Sequence, residues 1–400
     1  MKNERTDSLR KWSDIVKLDT KTVPCWWAFC SCNKNTLVIC CTQTDNLEAI
    51  AMIKRSPLST LAISLTLLIL VISAGAQTEY DYVKNGNAAL EAKNYDQAIT
   101  YYNSAISVNP SSAVAYYNRG LAYDNKKNYD QAIADYSRSI QLDPNYSKAY
   151  SNRCAVYFDK ANWDQAIADC TRAIQLDPNN ALAYSSRGGA YFGKKNYDQA
   201  IADCTRAVQL NASDHVAYYN RGGAQLDKKN YDQAIADCTK SLQLNPSHGK
   251  SYMCRAAAYD DKGNYDQALP DYDRAIQLNP NLAYAYLGRA QIHYRKRLYD
   301  KTIDDATKAI QFDPTLVNAF YYRGLSYRVN GKYPESITDM TRVLELSPTY
   351  INGYYERGLA EYFSGKYTDA IRDFNKVIEL DPADIDAIFV STSTPVSISP

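Results

Sequence analysis

Hydrophobic positions recur along most of the chain with two superimposed periods. Within Tyr197–Leu210 (YDQAIADCTRAVQL), apolar side chains return every three or four residues, which is the spacing of one face of an α-helix. Nearly the same stretch begins 34 residues later at Tyr231, and an earlier copy begins at Trp163. A fixed period of this length indicates an array of repeats rather than one closed core.

Prolines mark the ends of the copies. They follow one another at steps of 34 residues, or of 68 where Ala212 replaces the expected proline. The series is Pro110, Pro144, Pro178, Pro246, Pro280, Pro314, Pro348 and Pro382. Aromatic residues keep the same step from Tyr95 to Tyr367. Nine repeats therefore run from about Glu79 to about Asp384 without an insertion.

Each repeat predicts two helices when positions are counted so that the proline is position 32. Apolar residues at 4, 8 and 11, and then from 17 to 28, follow helical spacing. Small residues at positions 8 and 20 would let the two helices approach closely. Asn before the second helix can cap it, and the proline ends it.

This pattern resembles the tetratricopeptide repeat (TPR) over about three quarters of the chain. The signature positions of that family are held by Tyr116, Gly120, Tyr123, Ala132, Tyr136 and Pro144. The resemblance implies an all-α fold, a right-handed α-solenoid of nine helix-turn-helix repeats across residues 77–384. It also implies an inner groove, lined mainly by the first helix of each repeat, that holds a peptide from another protein.

Two columns of opposite charge run through the repeats. Arg fills position 7 and Asp fills position 23 in eight repeats. The pairs are Arg119 with Asp135, Arg153 with Asp169, Arg187 with Asp203, Arg221 with Asp237, Arg255 with Asp271, Arg289 with Asp305, Arg323 with Asp339 and Arg357 with Asp373. Antiparallel helices bring the two positions to similar heights, which predicts a structural ladder of ion pairs. The alternative is a set of solvated charges, each worth ~0–1 kcal/mol.

Amides and tyrosines follow the positions that face the groove in this family. The candidate groove residues are Asn87, Tyr117, Asn118, Lys148, Asn152, Ser186, Tyr219 and Asn220. A side-chain amide both donates and accepts, so a row of them can hold the backbone of an extended peptide. The row ends at Cys254, so the prediction concerns the first five repeats. The alternative is that these are ordinary surface positions of a copied template.

A second family arrangement, the carboxylate clamp for acidic chaperone C-termini, is only partly present. Asn87, Asn118 and Lys148 occupy three of its five positions, but Val83 and Asn152 stand where it needs cations. A membrane-anchored co-chaperone or import receptor of this type is therefore the weaker alternative.

The front of the chain has the layout of a targeting segment. Within residues 52–76, Lys54 and Arg55 precede an apolar run, and Ala74-Gly75-Ala76 supplies small residues for cleavage. This predicts either a signal peptide beginning at Met52, or a membrane anchor through residues 58–76 if it stays uncleaved. Both place the repeats outside the cytosol: secreted, periplasmic or membrane-anchored. Residues 1–51 are an unassigned leader, disordered or not translated, and residues 385–400 are an incomplete helix with a disordered tail.

The cysteines and histidines of the repeats do not form a pattern that predicts catalysis or metal binding. Cys170, Cys204 and Cys238 share position 24 and are predicted to be buried thiols, since equivalent positions in stacked helices lie about 8–10 Å apart, beyond a disulfide. The three histidines fall at unrelated positions, and no catalytic, metal or cofactor motif is present.

Composition narrows the function classes. The net charge is +1, which does not favour nucleic acid as a partner. We therefore predict a scaffold without enzymatic activity, cofactor or metal, whose groove binds an extended protein segment. A regulatory arm of an enzyme whose catalytic part is missing is a further alternative. The partner, the pathway, the organism and the oligomeric state are not determined by the sequence.

Overall fold

The computed structural model describes residues 26–31, 36–42, 51–54 and 75–382 of the 400-residue chain. The chain divides into two compact parts, Met1–Ala115 and Tyr116–Pro400.

The first part contains a small sheet and the first repeat. Strands β1 (Trp26–Ser31), β2 (Thr36–Thr42) and β3 (Ala51–Lys54) pair antiparallel in the order β1-β2-β3. The sequence analysis predicted no strand here. The stretches WWAFCS and TLVICCT are rich in aromatic and β-branched residues, which favour strands and lack a helical period. Helices α1 (residues 75–91) and α2 (Tyr95–Val108) form the first repeat.

The remaining repeats follow as helix pairs. Their bounds are α3 Ala113–Asn125, α4 Tyr129–Leu142, α5 Ser147–Asp159, α6 Trp163–Leu176, α7 Ala181–Gly193, α8 Tyr197–Leu210, α9 His215–Asp227, α10 Tyr231–Leu244, α11 Gly249–Asp261, α12 Tyr265–Leu278, α13 Ala283–Arg295, α14 Tyr299–Phe312, α15 Val317–Val329, α16 Tyr333–Leu346, α17 Ile351–Phe363 and α18 Tyr367–Leu380. The prediction of nine helix-turn-helix repeats in an α-solenoid is confirmed for residues 75–382.

A left-handed residue closes the turn inside each repeat. Position 15 has a positive φ in all nine repeats, and it is glycine only at Gly263, Gly331 and Gly365. Asn then precedes the second helix in six repeats, and the side chain of Asn196 accepts a bond from the backbone of Gln199. Because the left-handed residue ends one helix and Asn begins the next, local sequence sets the turn.

Complementary sizes at positions 8 and 24 bring the two helices of a repeat together. A Cβ built on Gly120 would lie 2.9 Å from the Tyr136 ring, and one on Gly358 would lie 2.9 Å from the Phe374 ring. The fully buried ring at position 24 therefore requires the missing side chain at position 8. This agrees with the predicted close approach at position 8.

Two disulfides correct the prediction that the position-24 cysteines are thiols. Cys170 bonds to Cys154, its partner at position 8 of the same repeat, and their Cα atoms are 5.4 Å apart. Cys238 bonds to Cys254 on the first helix of the next repeat, with Cα atoms 6.5 Å apart. The prediction was wrong because it compared only equivalent positions of successive repeats. Cys204, which faces Gly188, is a buried free thiol as predicted.

The predicted targeting segment falls mostly outside the described residues. Residues 55–74 contain its apolar run, whereas Gly75 already begins α1. Among the helices that the structure describes, none has both the length and the apolar character needed to cross a bilayer. The signal segment and the C-terminal tail from residue 383 stay predictions.

Candidate peptide-binding groove

The first helices of the repeats form the inner side of the second part. Direct contacts join α5 to α7, α7 to α9, and so on to α17, whereas no pair of second helices makes a comparable contact within residues 116–382. Positions 2, 5, 6, 9, 12 and 13 of a first helix lie along one face, since they recur at steps of three or four. We name this face the inner stripe.

The inner stripe curves around a concave space. The charge of Lys250, at position 2 of α11, lowers the pKa of Asp159, at position 13 of α5. These two residues are three repeats apart along the chain. Side chains three repeats apart therefore lie close enough to interact electrostatically, which requires the row of first helices α5, α7, α9 and α11 to curve.

The structure places the predicted groove residues at different depths. Asn152 Nδ2 donates to Tyr117 Oη at 2.9 Å, and burial raises the pKa of that tyrosine. Asn220 is only 2% exposed, and Ser186 is also buried. Lys148 is exposed on the first turn of α5.

Three further predicted groove residues contact, or lie among, other side chains of the protein. Tyr219 lies edge-on to the His248 ring, with centroids 5.1 Å apart. Asn118 is half-buried on α3. Asn87 belongs to the first compact part, where its Oδ1 accepts from Tyr102 Oη at 2.8 Å. The amide row is therefore partly occupied by tyrosine hydroxyls of the protein itself.

Missing side chains at position 9 shape the floor of the groove. A Cβ on Gly189 would lie 2.5 Å from the Phe158 ring and 2.7 Å from Asn220 Nδ2. Gly189 of α7 is thus flanked by position 12 of the preceding repeat and position 6 of the following one. Asn220 Nδ2 has no hydrogen-bond partner, although buried amide donors are almost always paired.

Carboxylates that the sequence analysis missed line one edge of the inner stripe. They are Asp124, Asp159, Asp227 and Asp261, at position 12 or 13 of α3, α5, α9 and α11. Burial and the charge of Asp159 raise the pKa of Asp124 to about 6. Burial also raises the pKa of Asp159 and of Asp261 despite nearby lysines. The helical spacing from position 6 to position 13 could have revealed them.

Beyond α11 the inner stripe changes character. Arg295 Nη1 donates to Asp260 at 2.5 Å, and Arg328 Nε donates to Glu356 at 2.8 Å. Each pair joins two successive first helices. A cluster of tyrosine rings, Tyr294, Tyr299, Tyr321, Tyr322 and Tyr350, packs edge to face beside these pairs. Asp260 and Glu356 of this half are therefore paired within the protein, while Tyr284, Val329 and Phe363 stay exposed there.

The Arg and Asp columns form the ladder in the structure. In all eight repeats from α3 to α18 the guanidinium donates through Nε and Nη2 to both carboxylate oxygens, at 2.6–2.9 Å. Each Arg also lies over the aromatic ring at position 4, as Arg187 does over Tyr184. The two-pronged geometry and burial favour a structural role.

A third contact of the ladder arginines joins neighbouring repeats. Arg187 Nη1 donates to Thr171 Oγ1 at 3.1 Å, and Thr171 holds position 25 of the preceding repeat. Six other ladder arginines donate in the same way to the residue at that position, which is Ser137, Thr205, Thr239, Asp273, Thr307 or Thr341. The sequence analysis missed it because it treated each repeat alone. Each of these arginines thus ties its own hairpin and the previous one together.

A polar network occupies the joint between α9–α10 and α11. His248 Nδ1 lies 2.7 Å from Ser251 Oγ, which lies 2.8 Å from Ser241 Oγ. The His215 ring meets the His248 ring at 5.2 Å, and its Nε2 lies 3.0 Å from Asn245 Nδ2. Burial, His215 and Lys250 lower the pKa of His248 to about 4. Within the described residues no group of three or more His, Cys, Asp or Glu side chains could hold a metal ion.

Sequence comparison identifies the repeats. The profile of the tetratricopeptide repeat matches residues 113–146, 147–180, 181–214, 215–248 and 249–282, a TPR repeat profile matches 86–127, and a further tetratricopeptide repeat profile matches 351–384. The chain belongs to the tetratricopeptide repeat family. The five ranges from 113 to 282 and the range 351–384 have the same register as the hairpins. No curated protein matches the chain.

Solved TPR structures resemble this fold. The APC/C hetero-tetramer Cut9–Hcn1 has a TM-score of 0.55 at 13% identity, covering 78% of this chain and 75% of that one. Pseudomonas aeruginosa pilF has a TM-score of 0.46 at 22% identity, covering 53% of this chain and 96% of that one. YrrB, a TPR protein with an unusual peptide-binding site, has a TM-score of 0.39 at 23% identity, covering 49% and 97%.

Family membership gives the chain a general role. TPR arrays are scaffolds for protein–protein interaction, and a protein or peptide is the kind of partner that this fold takes.

Proposed function

We propose that the inner stripe of this TPR array binds an extended segment of another protein, outside the cytosol. The observation that carries the proposal is where large apolar side chains remain exposed. In the second part, Leu182 and Tyr284 are exposed at position 2, and Val329 and Phe363 at position 13. Tyr80 and Val114 hold position 2 in the first part. Leu298, which precedes a second helix, and Val108, which ends one, lie off this face.

The four exposed apolar groups of the second part share the inner stripe, and such clustering favours a binding surface, whereas scattered groups need no explanation. The unpartnered Nδ2 of Asn220 on the same face supports this, because a peptide carbonyl would satisfy it. The edge-to-edge row of first helices offers several such positions in series, which suits an extended chain. The proposal assigns no catalytic role to any residue of the groove.

Export of the repeats is part of the proposal. It is supported by the predicted segment at residues 52–76 and by the two disulfides, since such bonds persist mainly in oxidising compartments. Sequencing the N-terminus of the processed protein tests it. A mature chain beginning near Gln77 is expected, and retention of thiols in a cytosolic full-length chain would contradict export.

Peptide selection tests the groove itself. A phage-displayed library of random peptides is selected on the full chain, and the affinity of an enriched peptide is then measured. The double variant Leu182→Glu/Tyr284→Glu should weaken binding by more than about ten-fold, equivalent to 1.4 kcal/mol. The matched control Leu298→Glu also adds a carboxylate at an exposed apolar site and should bind normally. Equal binding by both variants would place the peptide elsewhere.

A further inference from the structure

The carboxylates along the edge of the inner stripe point to the chemistry of the bound segment. Asp159 and Asp227 are exposed at position 13 of α5 and α9, and Asp261 is exposed at the same position of α11. Asp124 lies one position earlier on α3 and senses the charge of Asp159. The acidic edge, as we name these four residues, follows four first helices of the groove.

Cations of the protein do not neutralise the acidic edge. Lys250 and Lys127 act on Asp159, and Arg295 and Lys229 act on Asp261. Even so, the pKa of both carboxyls stays above the ordinary value, because partial desolvation of these surface carboxyls outweighs the nearby positive charges. Arg295 is already bonded to Asp260. A cationic group of a ligand could therefore pair with Asp159 or Asp124 without displacing a strong ion pair within the protein.

Aromatic rings lie beside the same carboxylates. Burial and the charges of Asp159 and Asp124 raise the pKa of Tyr129, and burial with the charge of Asp227 raises that of Tyr197. The hydroxyls of these two tyrosines therefore lie close enough to sense the charge of the acidic edge.

A buried amide marks the same helix face independently of charge. Asn220 and Asp227 are seven residues apart on α9, so they lie two turns apart on one face. Asn220 is 2% exposed, and its Nδ2 has no partner within the protein. A donor of this kind suits a backbone carbonyl of a ligand that passes between Asn220 and the acidic edge.

We infer that the segment held in the groove is basic, with lysine or arginine side chains directed at Asp124, Asp159, Asp227 and Asp261 and its backbone near Asn220. The inference rests on the proposed groove and adds the charge of its partner. It is the opposite of what the carboxylate clamp would require, because that arrangement takes an acidic terminus with cations that this groove lacks at Val83 and Asn152.

Three synthetic peptides provide the probes. Each has about 12 residues, roughly 40 Å when extended, and alternates serine with lysine, glutamine or glutamate. Fluorescence anisotropy measures their binding to the full chain at low and physiological salt. The lysine peptide is expected to bind, with an affinity that falls as salt rises, since exposed charges are screened. The glutamate peptide is expected not to bind.

Charge-matched variants locate the effect. The triple variant Asp159→Asn/Asp227→Asn/Asp261→Asn should weaken the lysine peptide by at least about ten-fold. Asn is native to this position, where Asn125 stands on α3. The control Asp143→Asn/Asp177→Asn/Asp313→Asn removes the same charge just after second helices, off the inner stripe, where other repeats already carry Asn211, Asn245 and Asn279. The control should bind within about two-fold of the wild type.

The outcomes separate the two proposals. Equal loss in both triple variants, or no binding by the lysine peptide, overturns the basic segment. Binding of the glutamine or glutamate peptide as tightly as the lysine peptide, together with loss in Leu182→Glu/Tyr284→Glu, leaves the groove standing and removes the charge preference. Insensitivity of every bound peptide to Leu182→Glu/Tyr284→Glu overturns the groove itself.

Discussion

The two halves of the groove share one backbone and differ in how their charges are satisfied. Along α3–α9, the carboxylates of Asp124 and Asp159 lack an arginine partner, and glycines at position 9 let phenylalanine rings of the preceding repeat pack on the floor. Along α11–α17, Arg295 and Arg328 bond to acids of neighbouring first helices, and tyrosines pack beside them. Acids of the first half therefore remain without an arginine partner, whereas Asp260 and Glu356 of the second half are paired within the protein.

The comparison teaches that the repeat fold and the binding surface are specified by different positions. The ladder at positions 7 and 23 is the same in both halves, so it cannot distinguish them. The repeats differ from one another mainly in the residues of the inner stripe. Three changes would test this division, from the largest expected effect to the smallest.

Breaking the ladder should destabilise both halves equally. Asp203→Ala in the first half and Asp339→Ala in the second each leave a largely buried guanidinium unpaired. Loss of one partner of such a pair should lower the free energy of unfolding by about 3 kcal/mol. Denaturant unfolding followed by circular dichroism measures it.

The control for the ladder is a carboxylate of the same repeat as Asp203. Asp198 pairs with Lys228, but its side chain is 80% exposed. Asp198→Ala should therefore leave the unfolding midpoint unchanged. A loss at Asp203 no larger than at Asp198 would reduce the ladder to solvated charges.

Removing a charged side chain from the inner stripe should lower stability in the second half and raise it in the first. Arg328→Met leaves the largely buried Glu356 without its cation, and should lower the free energy of unfolding, measured by denaturant unfolding, by about 2 kcal/mol.

Asp124→Asn should instead raise the unfolding midpoint at pH 7.5. The pKa of Asp124 is about 6 in the fold, so its stability penalty develops as pH rises from about 4 to about 6.

Repeating the Asp124→Asn measurement at pH 4 provides the internal control. Asp124 is protonated in the folded state there, so the variant should gain little. A gain that is the same at pH 4 and pH 7.5 would show that it does not come from the charge.

The smallest effect is expected at the joint between the halves. The pKa of His248 is about 4 in the fold, below the ordinary value of about 6.5. As pH falls from about 6.5 to about 4, the unfolded chain takes up a proton that the folded chain does not, so stability declines across this window. His248→Leu should remove that part of the decline in thermal unfolding scans.

Leucine is the natural residue for that substitution. Leu282 and Leu316 hold the same position in the next two repeats and are half-buried and buried there. The comparison is between the slopes of stability against pH for the variant and the wild type, because other carboxyls titrate in both. Parallel slopes would exclude His248 as the source.

Local sequence was sufficient for the repeat itself. The period of 34 residues, the helical spacing of apolar positions and the Asn before six of the second helices depend on contacts within about one hairpin. The Arg–Asp pairing was also accessible, because positions 7 and 23 face each other across two antiparallel helices. These features are repeated nine or eight times, so each copy supports the interpretation of the others.

Contacts between repeats were decided only by the tertiary structure. The bond of Cys238 to Cys254, the bond of Arg187 to Thr171, and the approach of Lys250 to Asp159 join residues whose positions do not match in the repeat. They depend on the angle at which one hairpin stacks on the next, which is set by side-chain volumes summed over the interface. That angle decides which side chains of successive first helices come close, and no single repeat contains the information to determine it.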